Sequence, residues 1–219
     1  LVTLRDGDRV FLGSNKGGVA RTHLLELTQE DLAYAQGFSL VYSNSNGFAD
    51  RELPKLKAAG IPIAFDFSDR WTPDYLQATL PWVDIALLSC SHLPAGQREE
   101  VLAQALHLGA RIAVATAGQE GSWVLWEGKL FHAPAARAAQ VVDTMGAGDA
   151  YFAAFLCSLL KTAGEEGLFA RDLSHRIPQA MGQAAAYAAQ TCALEGAFGG
   201  GVTLAGRTEL TPLEKDLSL

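Results

Sequence analysis

Residues 143–149, DTMGAGD, place one aspartate on each side of a glycine turn, and the apolar run AYFAAFL follows at once. A helix that begins near Ala147 presents N–H groups with no partner in the helix, at the positive end of its dipole. Such an end is a site for an anion. Gly146 and Gly148 let a phosphate approach the backbone closely. Asp149, in the first turn, can then accept the proton of a hydroxyl as that oxygen attacks a phosphoryl group. Phosphoryl transfer needs mostly positioning and charge stabilisation, so anion hole and carboxylate base together form a complete device for it.

Two other readings of the turn are weaker. In a purely structural strand-to-helix turn the glycines only satisfy geometry, yet two flanking carboxylates cost solvation when buried. A dinucleotide-binding turn needs a third glycine where Tyr151 stands, and Asp149 would repel the pyrophosphate. A Walker A loop is absent: Gly128-Lys129 is followed by Leu130, and no Gly-Lys-Ser/Thr occurs.

The device needs a sheet to carry it. Residues 38–44, 61–67, 83–89 and 110–118 read as strands, with helices over residues 49–60, closed by Gly60, and about 98–108. Several of these strands are apolar without alternation, the pattern of a sheet covered on both faces. The rhythm predicts an α/β fold with a doubly wound, mostly parallel sheet flanked by helices. WVLWEGKLFHA reads as a hairpin around Glu127-Gly128. Residues 1–13 read as another hairpin, with Val2, Leu4, Val10 and Leu12 alternating about an Asp6-Gly7-Asp8 turn. Thr28 and Asp31 form a variant capping box for a helix through Ala35. Toward the other end, residues 147–160 and roughly 174–194 read as helices, the first apolar nearly all round and so expected to be buried. Residues 199–219 lack periodicity and are expected to form a loose tail after an α/β domain of residues 14–198. Ligands of open α/β sheets bind beyond the carboxyl ends of the strands. Residues 66–70, 116–121 and 143–149 all fall there.

Composition narrows the function classes. The chain has 219 residues, 49% hydrophobic and 19% charged, with a net charge of -7. It has no basic block, which argues against nucleic acid as a partner. No apolar stretch reaches the ~20 residues of a membrane helix, and no signal peptide is legible. Cys90, Cys157 and Cys192 are far apart in apolar company, as expected of reduced thiols in the cytoplasm. His23, His92, His107, His132 and His175 have no metal-ligand spacing. Trp71, Trp82, Trp123 and Trp126 read as packing residues, and Lys16 as a solvated charge.

DTMGAGD resembles the DTxGAGD signature of the ribokinase/PfkB family of carbohydrate kinases. The order of the other segments agrees: a lid-like hairpin, FDFSDRW, TAGQEG, DTMGAGD, then an alanine-rich helix leading to Glu195-Gly196-Ala197. The resemblance runs from near residue 1 to about residue 198. GDRVFLGS, LKAAGIPIAFDFSDRW and VVDTMGAGDAYFAAFLC are similar to the fructosamine kinases of that family. The resemblance implies a ribokinase-like fold with part of a β-lid. It also implies transfer of the γ-phosphoryl of ATP to a sugar hydroxyl, for this branch the 6-OH of a fructosamine such as fructoselysine. By similarity, Asp149 is the catalytic base and Gly146, Ala147 and Gly148 form the anion hole. Thr116, Gly118 and Gly121 match the nucleotide loop. Arg70 matches an arginine that reaches phosphate in some members; a surface ion pair with Asp66 or Asp69 is the competing account. Asp143 and Thr144 match a segment that often helps hold a monovalent cation, K+.

The chain departs from the family pattern in two places. Where many members carry Asn-x-x-Glu, Ser89, Cys90, Ser91 and His92 stand here. No metal ligand is assigned, and Mg2+ is expected to depend mainly on the phosphates of ATP. Family chains also begin with elements that grip the sugar, and none precedes Leu1. The chain is therefore expected to be a fragment or truncated, weakly stable and at best poorly active. The rival reading is a truncated or degenerate, non-catalytic nucleotide- or sugar-binding protein. For residues 1–13, packing against a partner's lid in a homodimer and covering the chain's own site both stay open.

Overall fold

The computed structural model describes residues 2–5, 8–11, 17–161, 167–169, 172–197 and 199. Strands β1 (Val2–Arg5) and β2 (Asp8–Phe11) pair antiparallel as a separate two-stranded sheet, in register from Val2↔Phe11 to Arg5↔Asp8. Asp6, Gly7, Leu12, Lys16 and the tail from residue 200 lie outside the described residues. A single helical turn, α1 (Val19–Thr22), precedes α2 (Gln29–Ala35). The expected capping box of α2 is present: Thr28 Oγ1 accepts the N–H of Asp31, and Asp31 Oδ2 accepts the N–H of Thr28.

A six-stranded sheet follows in strict chain order: β3 (Val41–Asn44), β4 (Ile63–Asp66), β5 (Ile85–Ser89), β6 (Ile112–Thr116), β7 (Ser122–Trp126) and β8 (Lys129–Ala133). The first four strands are parallel, and β7 and β8 add antiparallel. The expected strands shorten where helices borrow their ends. Phe38 donates its N–H to Ala35, so β3 starts at Val41. Gly60, at φ +75°, lets α3 (Leu53–Ala58) end with Gly60 N–H on Lys57 and Ile61 N–H on Leu56. That pairing is a Schellman closure, which delays β4 to Ile63. The β7–β8 hairpin turns on Glu127 and Gly128, both at positive φ (45° and 74°), as two-residue hairpins demand.

Helices α3, α4 (Pro73–Thr79) and α5 (Ala95–His107) fill one face of the sheet. Leu53, Leu56, Leu76 and Leu102 pack there with Phe65, Phe67, Leu88 and Ala113. Helix α4, capped by Thr72, has no counterpart in the sequence reading; its seven residues are too few to show a helical period. The other face carries α6 (Ala147–Lys161) and α7 (Arg176–Thr191), joined by Phe152, Phe155, Leu159, Ile177, Met181 and Ala184 over Ile85, Leu87 and Val114. Each fully buried Phe or Leu in these layers is worth roughly 2–3 kcal/mol of transfer free energy. Helix α6 buries Tyr151, Phe152, Phe155, Leu156 and Leu159, but not its whole circumference as the apolar run leads one to expect. Ala153 and Cys157, on one side of the helix, are exposed. Among the described residues no helix is long and apolar enough to cross a membrane.

Candidate active site

The carboxyl ends of β3 to β6 and the first turn of α6 meet at one end of the sheet. The approach to α6 is tied to the end of α7. Val142 and Asp143 donate their N–H groups to the Cys192 carbonyl at 2.8 and 3.1 Å. Asp143, 1% exposed, accepts the N–H of Met145 on Oδ1 (2.9 Å) and that of Gly196 on Oδ2 (2.8 Å). One of the two carboxylates around the turn thus has a structural task, which the sequence did not reveal. Gly146 sits at φ +74°, and a Cβ there would lie 2.6 Å from the Cβ of Ala197. Glycine is therefore required at 146 by the fold itself. Gly148 has ordinary helical backbone, and a Cβ there would meet open space.

Of the three residues expected to supply anion-hole donors, one has its N–H engaged within the chain. Ala147 donates its N–H to the Thr144 carbonyl at 3.2 Å, a tight turn that closes before the helix proper begins. Among the described residues the N–H groups of Gly146, Gly148 and Asp149 donate to no protein atom. Asp149 is exposed in this first turn. Thr144 is exposed as well, beside the buried Asp143.

Two residues outside the predicted set share the field of Asp149. Asp66 ends β4, is 8% exposed, and accepts the N–H of Ser68 on Oδ1 at 2.7 Å. Burial pushes its carboxyl up to about 6, with the negative charges of Asp149 and Asp69 acting the same way. Ser68 holds a positive φ of 57° to make this contact. Tyr42, on β3, packs edge-on against Phe152 of α6 at 5.7 Å. Its phenol is pushed up to about 12, by burial first and then by Asp66 and Asp149. The FDF context of Asp66 is a legible signal, since a carboxylate between two phenylalanines at a strand end needs a reason. Tyr42 carries no such signal.

The expected nucleotide loop is a closed turn. Thr116 ends β6 and its carbonyl accepts the N–H of Cys90 at 2.7 Å. Gly118 and Gly121 have φ of +53° and +99°, and Ala117 N–H reaches the Gly121 carbonyl at 2.9 Å. A Cβ on Gly121 would lie 2.1 Å from the Ala133 carbonyl oxygen. Ser89 to His92 make the neighbouring turn, with Ser91 Oγ facing Gly118 and His92 tilted against Trp71. Arg70 lies beyond the end of β4 but in solvent, 80% exposed, its Nε 3.8 Å from Asp69. It makes the loose ion pair of the competing account, worth about 0–1 kcal/mol.

Among the described residues no group of three or more His, Cys, Asp or Glu could hold a metal ion. Asp66 and Asp149 are two carboxylates at one end of the sheet. That set fits a magnesium ion carried mainly on a nucleotide's phosphates and does not fit an all-protein cage. A cavity of about 290 Å³ lined by Arg111, Trp126, Phe169 and Leu173 opens at the opposite ends of the strands, away from Asp66, Asp149 and the 116–121 loop.

The architecture is that of ribokinases. The structure matches the ribokinase of Arabidopsis thaliana complexed with ribose and ATP (TM-score 0.61, 21% identity, 78% of this chain and 55% of that one). It also matches the ribokinase of Giardia lamblia (TM-score 0.65, 19% identity, 76% and 56%). The sequence matches the pfkB family of carbohydrate kinases over residues 2–199, and the chain belongs to that family. Among curated relatives it is 33% identical to a fructosamine kinase of Bacillus subtilis, over 92% of this chain and 66% of the relative. It is 36% identical to a fructoselysine 6-kinase of Shigella flexneri, over 90% and 69%. The chain thus spans about two-thirds of the length of these relatives and about half of the two ribokinases.

Proposed function

We propose that the protein is an ATP-dependent sugar kinase that transfers the γ-phosphoryl of ATP to the 6-OH of fructoselysine or a related fructosamine. The observation that carries this reading is the first turn of α6. There Asp149 is exposed, and the N–H groups of Gly146, Gly148 and Asp149 have no protein acceptor among the described residues. Asp149 takes the proton of the attacking hydroxyl. The N–H donors and the helix dipole hold the negative oxygens of the transferring phosphoryl group. Thr116, Gly118 and Gly121 place backbone against the nucleotide. Arg70, free to swing, serves the phosphates. Mg2+ on the triphosphate offsets part of its charge. In the same proposal K+ lies beside Asp143 and Thr144, and the protein works in the cytoplasm.

The fructosamine and fructoselysine kinases among the relatives support the choice of substrate class. The test is ADP release from ATP by the whole protein, with fructoselysine, other fructosamines, fructose or ribose, and the phosphorylated carbon located by NMR. Release that requires a fructosamine, with phosphate on C6, supports the reading. ATP binding without turnover on any sugar would establish the non-catalytic rival instead.

A further inference from the structure

Arg98 of α5 is 2% exposed, and nothing in the phosphoryl-transfer reading uses it. Its guanidinium forks onto Glu120 of the loop between β6 and β7. Nη1 donates to Oε2 at 2.8 Å and Nη2 to Oε1 at 2.7 Å, while Nη2 also donates to the Leu93 carbonyl at 3.1 Å. The guanidinium lies 4.8 Å from the Trp123 ring, and Trp123 stacks on His132 at 4.6 Å. His132 Nε2 is 3.3 Å from the Glu120 carbonyl oxygen. Glu120 is thus held at both its side chain and its backbone.

A stability role does not explain this arrangement. The Glu120 side chain is 58% exposed, and an ion pair with one partner in water adds little net attraction. A buried cation is also costly to keep, so an apolar residue at 98 would serve packing as well. What a bidentate fork does fix is geometry, since its two parallel bonds admit one orientation of the carboxylate. Residues 117–121 already turn back on themselves through Ala117 N–H to Gly121 and Gly121 N–H to Gly118. The fork ties that turn to α5.

We propose that Arg98 is a positioning residue, which through Glu120 presets the backbone of residues 117–121 for ATP. The inference rests on reading that loop as the nucleotide loop. Glu120→Gln and Arg98→Lys remove the paired fork while keeping volume or charge. Both raise KM for ATP, by about tenfold for the loss of one charged contact. The KM for sugar and kcat at saturating ATP stay as they were. Lysine does not rescue, because it lacks the planar fork. Amide hydrogen exchange, read without ligand, speeds up at Glu120 and Gly121 in both variants while β6 and β7 keep their protection. Unchanged exchange in the loop, or a lower melting temperature with an unchanged KM for ATP, overturns the proposal. If the wild-type protein uses no ATP, the kinase reading fails, and the exchange data still decide whether the fork sets the loop.

Discussion

Asp143 and Gly196 stand 53 residues apart in the chain and are joined by a 2.8 Å hydrogen bond from the Gly196 N–H to the Asp143 carboxylate. The other carboxylate oxygen accepts Met145 N–H, so this one side chain clamps the glycine turn to the end of α7. Asp143→Asn turns one acceptor into an NH2 group that faces a donor. A loss of about 2 kcal/mol is expected, which lowers the melting temperature by about 4–8 °C in a chain of this size. Calorimetry of the variant checks it, and unchanged melting would show that the clamp carries no stability.

The two glycines of the turn are expected to respond in opposite ways. Gly146→Ala combines φ +74° with a Cβ 2.6 Å from that of Ala197, so the fold loses stability, by at least about 1 kcal/mol. Gly148→Ala has helical backbone and open space. It is expected to leave the melting temperature unchanged or slightly raised, since alanine favours the helix by up to about 1 kcal/mol. Its turnover nevertheless falls, because the new methyl group occupies the place proposed for the phosphate. Full turnover in Gly148→Ala would place the phosphate elsewhere.

Asp66 sets a pH dependence of stability. Its folded carboxyl is pushed up to about 6, above its unfolded value. A group shifted in this direction stabilises the fold at low pH, where it is protonated in both states, and that contribution is lost as pH rises from about 4 through 6. The effect is on the order of 2–3 kcal/mol. Denaturant titrations at pH 5 and 7.5 are expected to differ less in Asp66→Asn than in the wild type. Asp149→Asn removes a neighbouring negative charge, so the titration of Asp66 moves down. An identical pH profile in Asp66→Asn would remove Asp66 as the source.

Much of this was legible in the sequence, for physical reasons. The capping box at Thr28 and Asp31, the Glu127-Gly128 hairpin and the glycine stop at Gly60 rest on local chemistry, and all stand in the structure. The parallel strands were legible as apolar runs, but not their bounds, since Schellman closures and a helix end take residues at each start. The candidate site could be read where one segment carries it, as in residues 143–149. It was not legible where distant segments converge. Asp143 needs Gly196, Arg98 needs Glu120, and Asp66 gains its character from burial at the end of β4, to which the charge of Asp149 on α6 adds. The N–H of Ala147 makes a turn bond to Thr144 that no pattern announces.

The most direct test of the central claim is sugar-dependent ADP release by Asp149→Asn beside the wild-type protein, with the melting temperature of both. Asp149 is exposed and pairs with no other side chain of the described residues through a hydrogen bond, so its loss leaves the fold intact. Turnover is expected to fall by roughly two to four orders of magnitude with melting unchanged. Turnover at the wild-type rate in a folded Asp149→Asn would contradict it, and the base would have to be sought elsewhere.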